Sequence, residues 1–321
     1  MPMADSHAHS SGHGHDHGHV RSAGAHAVRV IAVALAANAV LAVGQVIAGF
    51  AFGSIALLAD SVHQVVDVVG LAIALAGARL ATRGVTDRNT FGWGRADVLG
   101  ALVSAALLVG SSVWIAIEAV RRLADPPGIE GLPVLVVAVI GLLVNGGSAI
   151  ALTRVSGSMS ARAAVLHLIG DAAGSAGVVV SAVAVLTVDA TWVDPIVAIV
   201  ISVWVAWTGL RLLRASGRLL LDAVPDGLTT AAVTDTMRSV DGVVEVHHVH
   251  LWEPASGEPA VSAHVLVDGD MAVHESQALL DRVRDVVRAE HGIAHATFEV
   301  ECHPCEDIEH LSATVAADEG E

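Results

Sequence analysis

The sequence predicts an α-helical membrane protein, with six transmembrane helices followed by a small α+β cytosolic domain of αββαβ, ferredoxin-like order. Three observations carry that prediction. The 321 residues are 54% hydrophobic and only 16% charged, and the mean hydropathy is +0.64, values typical of a chain held largely in lipid. Six apolar segments each approach the roughly 20 residues that a bilayer-spanning helix needs. The net charge of −16 is concentrated at one end: residues 1–221 carry 13 Arg against 12 acidic side chains, whereas residues 222–321 carry 4 Arg against 21. A strongly acidic soluble part argues against nucleic acid as a partner and suits attraction of cations.

The chain opens on residues 1–26, where His7, His9, His13, His15, His17 and His19 alternate with Gly, Ser and Asp. Such a segment has nothing to bury, so it is expected to be a disordered His-rich tail that collects metal weakly. It lacks the basic start and apolar core of a signal peptide. The membrane domain is expected over 27–215, with spans near 28–50, 54–80, 96–120, 132–153, 163–187 and 192–213. Arg21 and Arg29 precede the first span, and Arg79, Arg83, Arg88 and Arg95 fill the second loop. Arg154 and Arg162 fill the fourth, and Arg211, Arg214 and Arg218 follow the sixth. The opposite side offers only Arg121 and Arg122, so the positive-inside rule places both termini in the cytoplasm and the chain as a multi-pass protein of the inner (plasma) membrane.

Pro225 and Gly227 mark a linker into a soluble domain at 222–305. Within it, 229–240 reads as a helix, Val243–Trp252 and Ala260–Val267 as Val-rich strands, His274–His291 as an amphipathic helix and Ala296–Cys302 as a third strand. Residues 306–321 read as an acidic tail.

The chemistry lies in a repeat inside the apolar runs. His63 and Asp67 stand four residues apart on the second span, and His167 and Asp171 repeat the spacing on the fifth. Four residues is about one helical turn, so each His lies above its Asp on one face. A His or Asp at mid-membrane depth costs roughly 2.5–3.5 kcal/mol on insertion scales. Two imidazoles and two carboxylates make a four-coordinate set of nitrogen and oxygen donors, which suits tetrahedral Zn²⁺. Gly170 and Gly174 give the fifth span a small-x-x-x-small pattern that permits close helix approach. Separate helix-packing polar contacts and a metal-independent proton relay are the competing readings. An intramembrane zinc-dependent enzyme is a third, although catalytic zinc usually has three protein ligands and an open position. No G-x-x-x-x-G-K-[ST] run is present, which argues against an ATP-driven pump.

Four stretches resemble the cation diffusion facilitators. LLADSVHQVVDVVGL is similar to their second span and HLIGDAAGSAGV to their fifth. FGWGRADVLGALV is similar to the start of their third span. LLDAVPDG followed by VHHVHLWEPASGEPAVSAHVLV resembles their cytosolic domain. The resemblance covers about 27–304 and implies a homodimeric, proton-coupled exporter of divalent metal, zinc above all. In the family two His and two Asp form the transport site, and those positions fall here on His63, Asp67, His167 and Asp171. The resemblance further implies a cytosolic zinc site at His247, His264, Glu301 and His303, with Cys302 and Cys305 as available soft ligands. It also implies a basic–acidic pair, Arg95 with Asp222, partly shielded from water at the junction of membrane and soluble parts. The loop before the third span offers only Asp87, with Trp93 where a His can stand, so the additional metal site of some relatives is not expected there.

Overall fold

The computed structural model describes residues 17–52, 55–124, 131–154, 158–188, 190 and 192–303, with side chains described from Ala27 onward apart from short stretches that include 52–63. Residues 1–16, Cys305 and the acidic stretch 306–321 lie outside the described residues. The membrane part is built from α1 (His17–Phe52), α2 (Ile55–Ala81), α3 (Gly94–Ala124), α4 (Gly131–Thr153), α5 (Met159–Val188) and α6 (Val193–Leu220). Among the described residues five of these are long and apolar enough to cross a bilayer, and α4 contributes the shorter apolar stretch Ala138–Thr153. Exposed apolar side chains such as Val40, Phe50, Trp114, Val203 and Trp207 cover the outside of the bundle, the surface expected to face lipid rather than water.

Two differences from the sequence-based expectations concern helix ends. α1 begins at His17, so residues 17–26 are helical rather than part of a disordered tail. The Ala-rich stretch from Ala23 extends a helix already nucleated by the span, and propagation from an existing nucleus is far cheaper than a new start. α6 continues through Arg211, Arg214 and Arg218 to Leu220, carrying the helix past the membrane edge that those arginines mark.

Inside the bundle α5 is shared by two apolar cores. One packs Ile31 and Ala34 of α1, Leu71 and Leu75 of α2, Ala149 and Leu152 of α4, and Ala164 and Leu168 of α5. The other packs Val98, Ala101 and Ala105 of α3, Met159 and Ala163 of α5, and Leu212 and Leu219 of α6. The frequency of Ala at these contacts lets backbones approach closely, which is how helices associate where lipid removes the hydrophobic drive. α5 is therefore the element whose position both halves of the bundle define.

The soluble domain runs α7 (Thr230–Arg238), β1 (Glu245–Ala255), β2 (Glu258–Leu266), α8 (Val273–His291) and β3 (His295–Glu301). β2 is the central strand, antiparallel to β1 and parallel to β3. Thr229 caps α7 by accepting from the Ala232 N–H, and α8 stops at Gly292, whose φ of 68° suits a residue without a Cβ. Val233 and Met237 of α7 and Leu279, Val283 and Val287 of α8 close over Val246, Val261, Val265 and Phe298 of the sheet. One sheet face is thus filled by helices, and the other is left to polar side chains. This domain meets the membrane part at the start of α3, where Gly94 sits against Pro254 and Ala255 of β1. The Phe91 ring meets His295 edge-on, 5.7 Å between centroids.

Candidate metal sites

Asp67 projects from the middle of α2, and His167 and Asp171 from one face of α5. The His167 Nε2 lies 3.0 Å from Asp67 Oδ1, with the two side chains only 4% and 2% exposed. Ligand atoms of Asp67, His167 and Asp171 all lie within 4.8 Å of one another. Three of the four residues carrying the repeated spacing are therefore brought together across two helices. His63 lies on α2 one turn before Asp67, and its side chain is outside the described residues.

The surroundings explain how α2 and α5 come so close. A Cβ at Gly70 would lie 3.4 Å from Cε1 of His167, at ordinary contact distance, so α2 presents its backbone directly to the imidazole. The Gly70 carbonyl accepts from Ser104 Oγ of α3 at 2.9 Å. One turn before Asp67, Gln64 donates to Asn38 of α1 at 3.0 Å, and Asn38 in turn donates to the Ala34 carbonyl. Both amides are buried, and an amide in an apolar interior is stable only when its donors and acceptors find partners. These contacts tie α2 to α1 on one side and to α3 on the other.

A second cluster occupies the open face of the sheet. His247, His248 and His264 bring ligand atoms within 4.8 Å of one another. Glu301 joins two of them: its Oε1 is 2.6 Å from His264 Nδ1 and its Oε2 is 3.0 Å from His247 Nε2. His248 is the member that sequence reasoning did not select. Successive strand residues point to opposite faces, so His247 and His248 should diverge. The register of β1 on β2 slips between His247 and His250, and His248 takes a φ of 49°. A bulge of this kind turns a side chain back onto its neighbour's face, and His248 Nδ1 comes within 3.4 Å of His264 Nδ1. The only signal available in the sequence was the adjacency of the two His. His303 is exposed just beyond β3 and Cys302 is an exposed free thiol.

Arg95 of α3 pairs with Asp222, which has a φ of 54° immediately after α6. The side chains are 43% and 52% exposed, so the pair is not shielded. It borders an open cleft with Thr230, His250 and Trp252, at the rim where α6 hands over to the soluble domain, and water reaches it there. An exposed pair contributes only about 0–1 kcal/mol. Reversing either charge in the solubilised protein is therefore expected to change stability by no more than that, as read by thermal unfolding. A double-mutant cycle giving about 2 kcal/mol or more of coupling would contradict the exposed geometry.

Metal-ligating donors brought together between spans, with an acidic soluble domain following them, mark a membrane protein that handles cations. Comparison with known proteins agrees. Residues 31–221 match the cation efflux transmembrane domain, and residues 225–303 match the cytoplasmic domain of cation efflux proteins. The chain is 34% identical over 292 residues to the metal cation efflux system protein CzcD of Cupriavidus metallidurans, covering 90% of this chain and 92% of that one. It is 37% identical over 264 residues to the zinc transporter ZitB of Escherichia coli, covering 81% and 83%. It is 30% identical over 262 residues to a cadmium, cobalt and zinc/H⁺–K⁺ antiporter of Bacillus subtilis, covering 80% and 83%. The chain belongs to the cation efflux family. It is a multi-pass membrane transporter with a cytoplasmic C-terminal domain.

Proposed function

We propose that this protein exports Zn²⁺, and related divalent cations, from the cytoplasm in exchange for protons, using His63, Asp67, His167 and Asp171 as the transport site. The observation that carries the reading is the approach of buried Asp67 and His167 and half-buried Asp171 across α2 and α5. Zn²⁺ requires a neutral imidazole and ionised carboxylates, because a bound proton occupies the lone pair that the metal needs. The 3.0 Å contact between His167 and Asp67 can be closed by a shared proton or opened to admit a cation between the donors, but not both at once. Mutual exclusion of this kind couples the two ions: metal arriving from the cytoplasm displaces protons, and protons arriving from outside displace metal. Donor type suits zinc, with imidazole nitrogen and carboxylate oxygen both common zinc ligands.

The remaining assignments belong to the same proposal. The protein sits in the inner (plasma) membrane with both termini cytoplasmic, following its arginine distribution. It works as a homodimer, joined at least through the cytoplasmic domain, whose family model is named for dimerisation. The cytosolic zinc site comprises His247, His264, Glu301 and His303, to which the bulge adds His248.

The test is Zn²⁺ flux into proteoliposomes with an internal pH dye. Flux is expected to follow the pH gradient, to reverse direction with it, and to move protons opposite to zinc. Zinc flux indifferent to the gradient, or proton flux of the same size without metal, would defeat the proposal.

A further inference from the structure

We propose that Asp97 is a positioning residue of the transport reaction: from the first turn of α3 it caps the N-terminus of α5 and so sets the depth and rotation of His167 and Asp171. The inference rests on the transport-site reading above. Asp97 is buried, only 4% exposed, and its carboxylate is spent on another helix. Oδ2 accepts from the Met159 N–H at 2.7 Å, and Oδ1 accepts from the Ser160 N–H at 3.3 Å. Ser160 Oγ donates back to the Asp97 carbonyl at 2.8 Å. The first N–H groups of a helix have no partner within it, and a carboxylate there also meets the positive end of the helix dipole.

α5 does not need Asp97 merely to begin. Ser158 already serves as a local cap, its Oγ accepting from the Ala161 N–H at 3.1 Å, in the ordinary N-cap arrangement. What Asp97 adds is attachment to α3. Ser160 lies seven residues before His167 and eleven before Asp171, close to two and three full turns, so all three share one face. At about 1.5 Å per residue, Ser160 is roughly 10 Å along the axis from His167. A tether at Ser160 therefore fixes both the rotation of the ligand face and its height. The packing is also close at the same level. A Cβ at Gly77 of α2 would lie 2.8 Å from the Ala96 carbonyl oxygen, 3.1 Å from Gly100 Cα and 3.1 Å from Ser160 Oγ. α2, α3 and α5 thus meet in contact at this level, and the helices carrying Asp67 and His167 are referenced to one point.

The experiment measures Zn²⁺ flux in proteoliposomes at fixed pH gradient, with KM and Vmax separated, for full-length Asp97→Asn, Ser158→Ala and Asp171→Ala. Asn keeps one acceptor but turns an N–H₂ toward a helix N–H, so the tether is lost at little change of volume. Asp97→Asn is expected to raise KM about tenfold, the loss seen when partners that orient ligands are removed. Ser158→Ala is expected to lower the melting temperature and leave KM within about twofold. A role limited to helix stability would give Asp97→Asn that same result, and a folded Asp97→Asn with KM within twofold overturns the proposal. If Asp97→Asn does not fold, Asp97→Glu carries the test under the same criterion, since one extra methylene keeps the charge and pushes α5 away from α3. Flux retained in Asp171→Ala would remove the transport-site reading itself. Flux lost there with KM unchanged at Asp97 would remove only this inference.

Discussion

Asp171→Ala is expected to abolish zinc flux while the protein still folds and inserts. Asp171 sits one turn beyond His167 on α5, with a ligand oxygen within 4.8 Å of the donors of Asp67 and His167. A divalent cation held by two neutral imidazoles and two carboxylates is electrically balanced. With one carboxylate gone, an uncompensated charge remains in a low-dielectric site, and such a charge costs several kcal/mol or drives the ion out. Several kcal/mol corresponds to a loss of at least 100-fold in affinity. The fold has less at stake. Ala is the best helix former, and the substitution removes a polar group from the bundle interior instead of adding one. The measurement is flux in proteoliposomes, with circular dichroism and thermal unfolding on the same preparation. A folded mutant carrying zinc within about threefold of the native rate would show that Asp171 is not a ligand of the transported ion.

How much of this could be read from the sequence differs between the two parts of the molecule, for physical reasons. In the membrane, helices are the only open solution for an apolar run, and a polar pair four residues apart must share a face. The spans, and the face that each His shares with its Asp one turn away, follow from spacing alone; that the second and fifth spans bring their pairs together is implied by the family resemblance. What spacing cannot give is which contacts hold the helices at that separation. Gly70 beneath the imidazole, Gln64 on Asn38 and Asp97 on the start of α5 join residues 26 to 97 positions apart in the chain, and no periodicity links them.

On the sheet the rule of alternation serves well for β2 and fails at the bulge in β1. Val261 and Val265 fall inward as their even spacing requires, whereas Val246 and Leu251, five residues apart, share the buried face because of the bulge between them. His248 does not obey the pattern, because a bulge in β1 returns it to the face of His247 and His264. Bulges depend on what the partner strand offers, so a period-two reading misplaces them. The exposure of Arg95 and Asp222 has a similar origin. Their pairing needs only that both lie at the same membrane edge, whereas their solvation depends on an open cleft formed with β1.

Substitutions at Gly70 are expected to divide sharply by size. Gly70 lies three residues after Asp67 on α2, and a Cβ built there would stand 3.4 Å from Cε1, 3.8 Å from Nε2 and 3.9 Å from Nδ1 of His167. One methyl group therefore rests against the imidazole at ordinary contact distance. Gly70→Ala should keep flux within about threefold of the native rate and gain roughly 0.5–1 kcal/mol of stability, because Gly in a helix interior is costly. Val adds two further methyl groups with few rotamers open to them in a helix, and the ring has to yield. The backbone cannot yield in its place, since the Gly70 carbonyl is held by Ser104 of α3. Displacing the ring separates Nε2 from Asp67 Oδ1, now 3.0 Å apart. Zinc–nitrogen bonds of about 2.0–2.1 Å tolerate errors of only a few tenths of an ångström. Gly70→Val should accordingly lose at least tenfold in flux, mainly as a raised KM, while remaining folded at a cost of about 1–3 kcal/mol for overpacking. Native KM in a folded Gly70→Val protein would mean that His167 does not hold zinc from this position, and Gly70→Ala as inactive as Gly70→Val would mean that the glycine serves backbone freedom and not the ring.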